Sequence, residues 1–169
     1  QSTGTPIYDV AATTTTVTGT STISGTLNIN GSGVYDANGD FAASGAITMD
    51  GTARLQLSVA GSGISSLGTL DIAAGTVEYD GGTQNVLADT YYNLEIDQAG
   101  TKTAQGAVNI NGTMTVQNTG LVVYDIAGTT TTVAGTTTVN HTNGTNSGTI
   151  KLTTGTFEAN GATDINGKL

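Results

Sequence analysis

The residues of this chain best suited to chemistry are its carboxylates, and the most metal-like string is Asp36-Ala37-Asn38-Gly39-Asp40, with oxygen ligands at alternate positions as calcium loops have. A loop of the helix-loop-helix kind also needs a carboxylate at its twelfth position, where this chain has Ile47, and Ala37 belongs to an apolar pattern. Asp36, Asn38 and Asp40 therefore stand as a calcium candidate set whose simpler account is an Asn-Gly turn. Two carboxylate pairs, Asp36 with Asp40 and Glu78 with Asp80, come nearest to the two carboxyl groups of a glycosidase. No aromatic subsite platform or basic partner accompanies either pair. His141 is the single histidine and sits in Asn140-His141-Thr142-Asn143-Gly144, the wording of a loop. No nucleophile elbow supports a Ser-His-Asp arrangement, and the absence of cysteine excludes disulfides and thiolate zinc sites. The expectation is a chain that is not an enzyme and needs no cofactor.

Binding chemistries are weighed the same way. Tyr91 and Tyr92 are the candidate ligand-facing aromatics, able to stack on a sugar ring, although such a pair ordinarily packs one ring in the core and lays the other on the surface. Thr-x-Thr occurs at Thr13-Thr14-Thr15, Thr18-Gly19-Thr20, Thr101-Lys102-Thr103, Thr113-Met114-Thr115 and Thr136-Thr137-Thr138. An ice-ordering ladder would need these pairs at one constant rung spacing, which they do not keep, so strand propensity and cross-strand hydrogen bonds explain them better. Glycosylation sequons stand at Asn30, Asn111, Asn140 and Asn143, as chance supplies in a chain rich in Asn, Gly and Thr.

Charge narrows the partners. The net charge is −9, with Arg54, Lys102, Lys151 and Lys168 as the only cations. Phosphate contacts need clustered Lys and Arg, so nucleic acid and anionic lipid surfaces are excluded. The acids occupy the polar positions of alternating segments such as Tyr8-Asp9-Val10, Leu94-Glu95-Ile96-Asp97 and Tyr124-Asp125-Ile126, which places them on an outer, solvated face.

The elements that position all of this follow from a five-residue phrase, apolar-x-apolar-x-Gly, as in Leu27-Asn28-Ile29-Asn30-Gly31, Ile47-Thr48-Met49-Asp50-Gly51, Val108-Asn109-Ile110-Asn111-Gly112 and Phe157-Glu158-Ala159-Asn160-Gly161. Two apolar residues around one polar residue share a face of a short strand, and the glycine permits a sharp bend. No window keeps the helical i, i+3, i+4, i+7 pattern without a Gly or Thr run breaking it, so almost no helix is expected. A core of Val, Ile, Leu and Ala, with no Trp, suits the narrow interior of a solenoid. The fold predicted is all-β: a parallel β-helix (β-solenoid), right-handed, of about eight rungs and about 40 Å long at about 4.8 Å per rung. Its rival is a set of tandem β-sandwich modules. Residues 1–169 form a single domain in this reading, with a loop excursion at Asn140 to Ser147.

A longer repeat lies beneath the phrase. Gln1-Ser2-Thr3-Gly4 recurs as Gln117-Asn118-Thr119-Gly120, Ile7-Tyr8-Asp9-Val10-Ala11 as Val123-Tyr124-Asp125-Ile126-Ala127, and Thr13 to Thr20 as Thr129 to Thr136, a shift of 116 residues. After an insertion near Asn143 the match resumes, with Gly33 to Gly39 against Gly155 to Gly161. One repeat unit thus covers about 1–116 and a partial second unit 117–169. The closing Gly167-Lys168-Leu169 breaks off where Gly112-Thr113-Met114-Thr115-Val116 continues, so an open edge is expected to meet another copy or a neighbouring repeat.

The segment Gly75-Thr76-Val77-Glu78-Tyr79-Asp80-Gly81-Gly82-Thr83-Gln84, followed by Tyr91-Tyr92-Asn93-Leu94-Glu95-Ile96 and by Gly106 to Val116, resembles a repeat of large secreted adhesin-like or filamentous surface proteins of Bacteroidota-type bacteria. The resemblance covers roughly 40 residues well and the remainder only in rhythm. It implies a secreted, extracellular or cell-surface, non-enzymatic stalk or fibre, and it carries over no catalytic residues. The partners expected are the chain itself, end to end in a homo-oligomer or filament, or neighbouring repeats, with surface carbohydrate as a further ligand class. Gln1 suits a new N-terminus after signal removal, and no run of 18 apolar residues could cross a bilayer. A carbohydrate- or ice-binding solenoid is the alternative function, and a polysaccharide-active enzyme ranks behind it.

Overall fold

Each glycine phrase becomes a strand and a corner. In Leu27-Asn28-Ile29 the two apolar side chains are fully buried and Asn28 faces out, and the same alternation governs Val108-Asn109-Ile110. The computed structural model describes residues 6–71, 73–142 and 146–166, and among them there is no helix. The strands run in chain order as Ile7–Ala11 (β1), Thr14–Val17 (β2), Ser21–Ile23 (β3), Thr26–Asn30 (β4), Val34–Ala37 (β5), Phe41–Met49 (β6) and Arg54–Leu57 (β7). They continue with Ile64–Leu70 (β8), Thr76–Tyr79 (β9), Gln84–Val86 (β10), Thr90–Tyr91 (β11), Asn93–Ile96 (β12), Gly100–Ala104 (β13) and Val108–Ile110 (β14). The last are Met114–Val116 (β15), Leu121–Asp125 (β16), Thr130–Val133 (β17), Thr137–Asn140 (β18), Ser147–Lys151 (β19), Thr156–Ala159 (β20) and Thr163–Asn166 (β21).

Pairing turns this series into a β-solenoid with three sides per turn. Side one is an eight-stranded sheet in the order β2-β5-β7-β9-β12-β15-β18-β21. Side two follows it along the chain. It holds β3 and the first parts of β6 and β8, then β10-β13-β16-β19, and a parallel bridge from Gly61 to Gln84 links its two stretches. Side three leads back to side one, through β1-β4 and the later parts of β6 and β8, then β11-β14-β17-β20. All pairings between these strands are parallel, which rules out sandwich modules, whose sheets are antiparallel. Turn length varies, since Asn93 pairs with Thr76, 17 residues before it, and Ser147 with Leu121, 26 before it. The longer turn contains the excursion foreseen after Asn140, where His141 and Ser147 form an antiparallel bridge; Asn143 and the inserted residues around it lie outside the described residues, as do Gly167 to Leu169.

The core is a file of inward residues stacked rung on rung, such as Tyr35, Leu55, Val77, Leu94 and Met114 on side one. Each such Leu or Ile contributes about 1.5–3 kcal/mol by leaving water. The corners are as ordered as the core. Gly112, Gly135 and Gly161 stack above one another so closely that a methyl group on Gly135 would overlap the carbonyl oxygen of Gly112, and one on Gly161 that of Gly135. Gly25, Gly45 and Gly68 form a second such file, in which the added carbon would meet the carbonyl oxygen of the glycine one turn earlier.

The duplication returns to a different side. Tyr8 and Tyr124 both point inward, and Asp9 and Asp125 both outward, yet β1 lies on side three and β16 on side two. Likewise β2 on side one recurs as β17 on side three, and β3 on side two as β18 on side one. The repeat length is therefore displaced from a whole number of turns by one side.

Replacing Gly135 by Ala should destabilise the fold by about 1–3 kcal/mol, the usual penalty of overpacking. Gly19→Ala, where nothing lies within 4 Å of the added carbon, should be close to neutral. Urea denaturation of the two variants compares them, and equal stabilities would remove the glycine files from the account of the fold.

Candidate functional site

Parallel stacking brings the outward residues of side one into a polar strip. The register places Asp36, Gln56, Glu78, Glu95, Thr115 and Thr138 directly above one another. Glu78 over Glu95 sets two carboxylates side by side, an arrangement that repels unless a cation intervenes. Arg54 supplies it: its Nη1 donates to Oε2 of Glu78 and to Oε2 of Glu95, each at 2.7 Å. Gln117 Nε2 donates to the other oxygen of Glu95 at 2.5 Å, and Asn140 Nδ2 to Gln117 Oε1 at 2.9 Å. Gln56 Nε2 donates to Asp80 Oδ2 at 2.8 Å. Glu78, Glu95 and Asp97 each place a carboxylate oxygen within 4.8 Å of the others.

One guanidinium cannot neutralise this many acids. Burial pushes the Glu78 carboxyl up to about 7, against the pull of Arg54 and with the help of Glu95 and Asp80. Asp80 is also raised, chiefly by burial, and its Oδ1 is buried without a hydrogen-bond partner. Burial works against the charge of Arg54, but the two carboxylates outweigh it and hold its pKa above the usual value. The strip can take up a proton or bind donors laid along it. The trio of Glu78, Glu95 and Asp97 offers oxygen ligands of the kind a divalent cation accepts, with Arg54 occupying the charge-balancing role.

The sequence candidates fall elsewhere. Asp36 faces out on β5 and accepts from Asn38 Nδ2 at 3.1 Å and Ser58 Oγ at 3.2 Å, while Asp40 lies beyond the corner, its main-chain oxygen bonded by the amide of Ser21. Ala37 is fully buried, so the string begins at the end of β5 and continues through the corner that follows it. Tyr91 is not ligand-facing: it is fully buried, because its alternation points it into the core, and Tyr92 beside it is half-buried at the surface. The Thr-x-Thr pairs stack in only one place on side one, with Thr115 above Thr138 in register and Glu95 and Asp164 at the flanking rungs.

The phrase that carries the family resemblance is a core device in this chain. Tyr79 and Tyr91 meet edge to face, centroids 6.4 Å apart, with their hydroxyls 3.0 Å apart. Tyr79 Oη accepts from the Leu87 amide at 3.2 Å and Tyr91 Oη donates to the Leu87 carbonyl at 2.8 Å. Gln84 Nε2 donates to the carbonyls of Leu57 and Val59 at 2.6 and 2.8 Å, and its Oε1 accepts from the Gly81 amide at 3.0 Å. These side chains bond main-chain groups of Leu57, Val59, Gly81 and Leu87 at the ends of strands and in the loops beyond them.

Two features escaped the sequence reading. Arg54 is 24 residues from Glu78 and 41 from Glu95, so only the turn length makes them neighbours. Lys102 is fully buried in an inward file between Gln84 and Tyr124, and its Nζ donates to the Gln98 carbonyl at 2.5 Å. The signal was its even spacing from Ala104, which puts both on one face. Burial lowers its pKa to about 8, with Asp97 and Asp80 opposing.

Comparison of the chain with protein-family models, with curated proteins and with solved structures finds no match.

Two pH profiles follow. Glu78 holds its proton more tightly when folded, so its contribution is full below about pH 4.5 and is lost as pH rises toward 7. Glu78→Gln should flatten the fall in melting temperature over that window; an unchanged slope would remove Glu78 as its source. Lys102 loses its proton more readily when folded, so its penalty is full below pH 8 and relieved between 8 and 10.5. Lys102→Met should raise the melting temperature at pH 7 and abolish any rise above pH 8, and a lower melting temperature at pH 7 would show that the ammonium is well satisfied where it lies.

Proposed function

We propose that this chain is a non-enzymatic structural module of an extracellular bacterial surface fibre or adhesin stalk, which makes length and stiffness by stacking rungs within a chain and between copies. The observation that carries this reading is the use to which the patterned residues are put. Glycines serve corner stacking, and the tyrosines and glutamine of the resemblance phrase serve the core. Among the described strands, none pairs beyond β1 to β3 at one end of the coil or beyond β19 to β21 at the other. Tyr8 is 50 % exposed at one end, and Leu152 and Ile165 are 58 % and 47 % exposed at the other.

A stack of in-register parallel strands resists extension along its axis through its packed core and bends little, which suits a stalk. The acidic strip on side one discourages lateral pairing of neighbouring solenoids at neutral pH, since like charges would face one another. No cofactor enters this reading.

Electron microscopy of the native material tests it. Rods or fibres a single solenoid wide are expected, and separate globular particles with no end-to-end contact would overturn the fibre reading.

A further inference from the structure

The fibre reading leaves open how one copy would seat on the next, and the displaced duplication answers this. The segment 122–139 repeats the wording of 6–23, and inside the solenoid it is stacked on β13, β14 and β15 with a defined register: Tyr124 on Lys102, Asp125 on Thr103, Thr131 on Val108, Val139 on Val116. In that setting the rung begins on side two, whereas its first copy, β1-β2-β3, begins on side three. The last described strand, β21, lies on side one, and the side that comes next in the coil is side two, over β19. A following copy seated without rotation would put its β1 over β20 and leave β19 uncovered. Rotated by one side it fills β19, β20 and β21 in turn, as 122–139 fills β13, β14 and β15.

We propose that a second copy of this chain docks head to tail with this one-side rotation, its β1, β2 and β3 stacking on β19, β20 and β21; the proposal rests on the fibre reading and specifies its joint. The facing surfaces fit. The β19 to β21 end holds an apolar hollow of about 400 Å³ lined in part by Ile150, Leu152, Phe157 and Ile165. The internal register carries Tyr8 of the second copy onto Ile150, Thr15 onto Phe157 and Ile23 onto Ile165. Charges match as well. Lys151 pairs with Asp125 at 2.9 Å while its side chain stays 57 % exposed, and the same register brings Asp9, the counterpart of Asp125, onto its open side. Lys151 would then lie between two carboxylates of successive rungs, and Glu158, which accepts from Thr132 Oγ1 at 3.2 Å, would receive Thr16 from above. Main-chain pairing along three strands supplies the affinity, as in other strand-addition complexes.

Cysteine pairs test the register, because the chain has no cysteine of its own. Val123 stands opposite Thr149 in the internal stack, so Ile7 of a second copy stands opposite Thr149; both are exposed and their substitution leaves the core untouched. Mild oxidation of the Ile7→Cys, Thr149→Cys variant should give a reducible ladder of trimers and longer species, and the Ile7→Cys, Thr156→Cys variant, which reports the unrotated stack, should give none. A ladder from the second pair alone overturns the rotation while leaving the fibre reading intact. Ladders from both mark random collision and overturn the proposal, as does the absence of a ladder from the first pair. The fibre reading is judged separately, by the native micrographs.

Discussion

The constraint on which everything else depends is the vertical approach of backbone to backbone at the corners. In a parallel solenoid the chain passes over the same point once per turn, at the spacing of hydrogen-bonded strands. Where the path bends, carbonyl oxygens point at the next turn and accept its amides, Gly25 from Ala46 and Gly112 from Gly135, each at 3.0 Å. The files Gly25-Gly45-Gly68 and Gly112-Gly135-Gly161 show the result: no side chain fits there, so the turns close down on one another. Given those corners, the strands between them must lie in register, and the inward residues must stack into a continuous core.

Stacking has a second consequence, because it places each outward residue next to its counterparts in the turns before and after. A donor stacked on an acceptor does well in this geometry, as where Thr48 Oγ1 donates to Asn28 Oδ1 at 2.8 Å and Asn28 Nδ2 to Asp9 Oδ1 at 2.7 Å. A carboxylate stacked on a carboxylate does not, and Glu78 above Glu95 is tolerated through Arg54 and a raised proton affinity. The buried ammonium of Lys102 is the inward case of the same rule: the file assigns the position to the interior whatever residue stands there. The only latitude left is to lead Nζ to a corner carbonyl.

A solenoid of this kind has two unlike ends, and a parallel rung is completed only by another rung of the same sense. That asymmetry gives a direction to any assembly. The duplication, displaced by one side, means that a surface feature repeated along successive units would wind around the axis rather than line up on one side.

Much of the fold was legible from the chain. The apolar-x-apolar-x-Gly phrase is local, and so is its physics: alternation decides which side chains turn inward, and glycine decides where the path bends. Leu27, Ile29, Val108 and Ile110 were assigned to the core on that ground alone, as was Ala37 inside the calcium-like string at Asp36, and all five are buried. Which acid would meet which base was not legible, because that depends on turn lengths ranging from 17 to 26 residues. The sequence by itself determined the strand, the corner and the inward or outward sense of each residue, all of which follow from interactions within a few residues. Only the tertiary structure decided that Arg54 serves Glu78 and Glu95 and that Tyr8 and Tyr124 face different sides, since these depend on how many residues each turn takes to come back over itself.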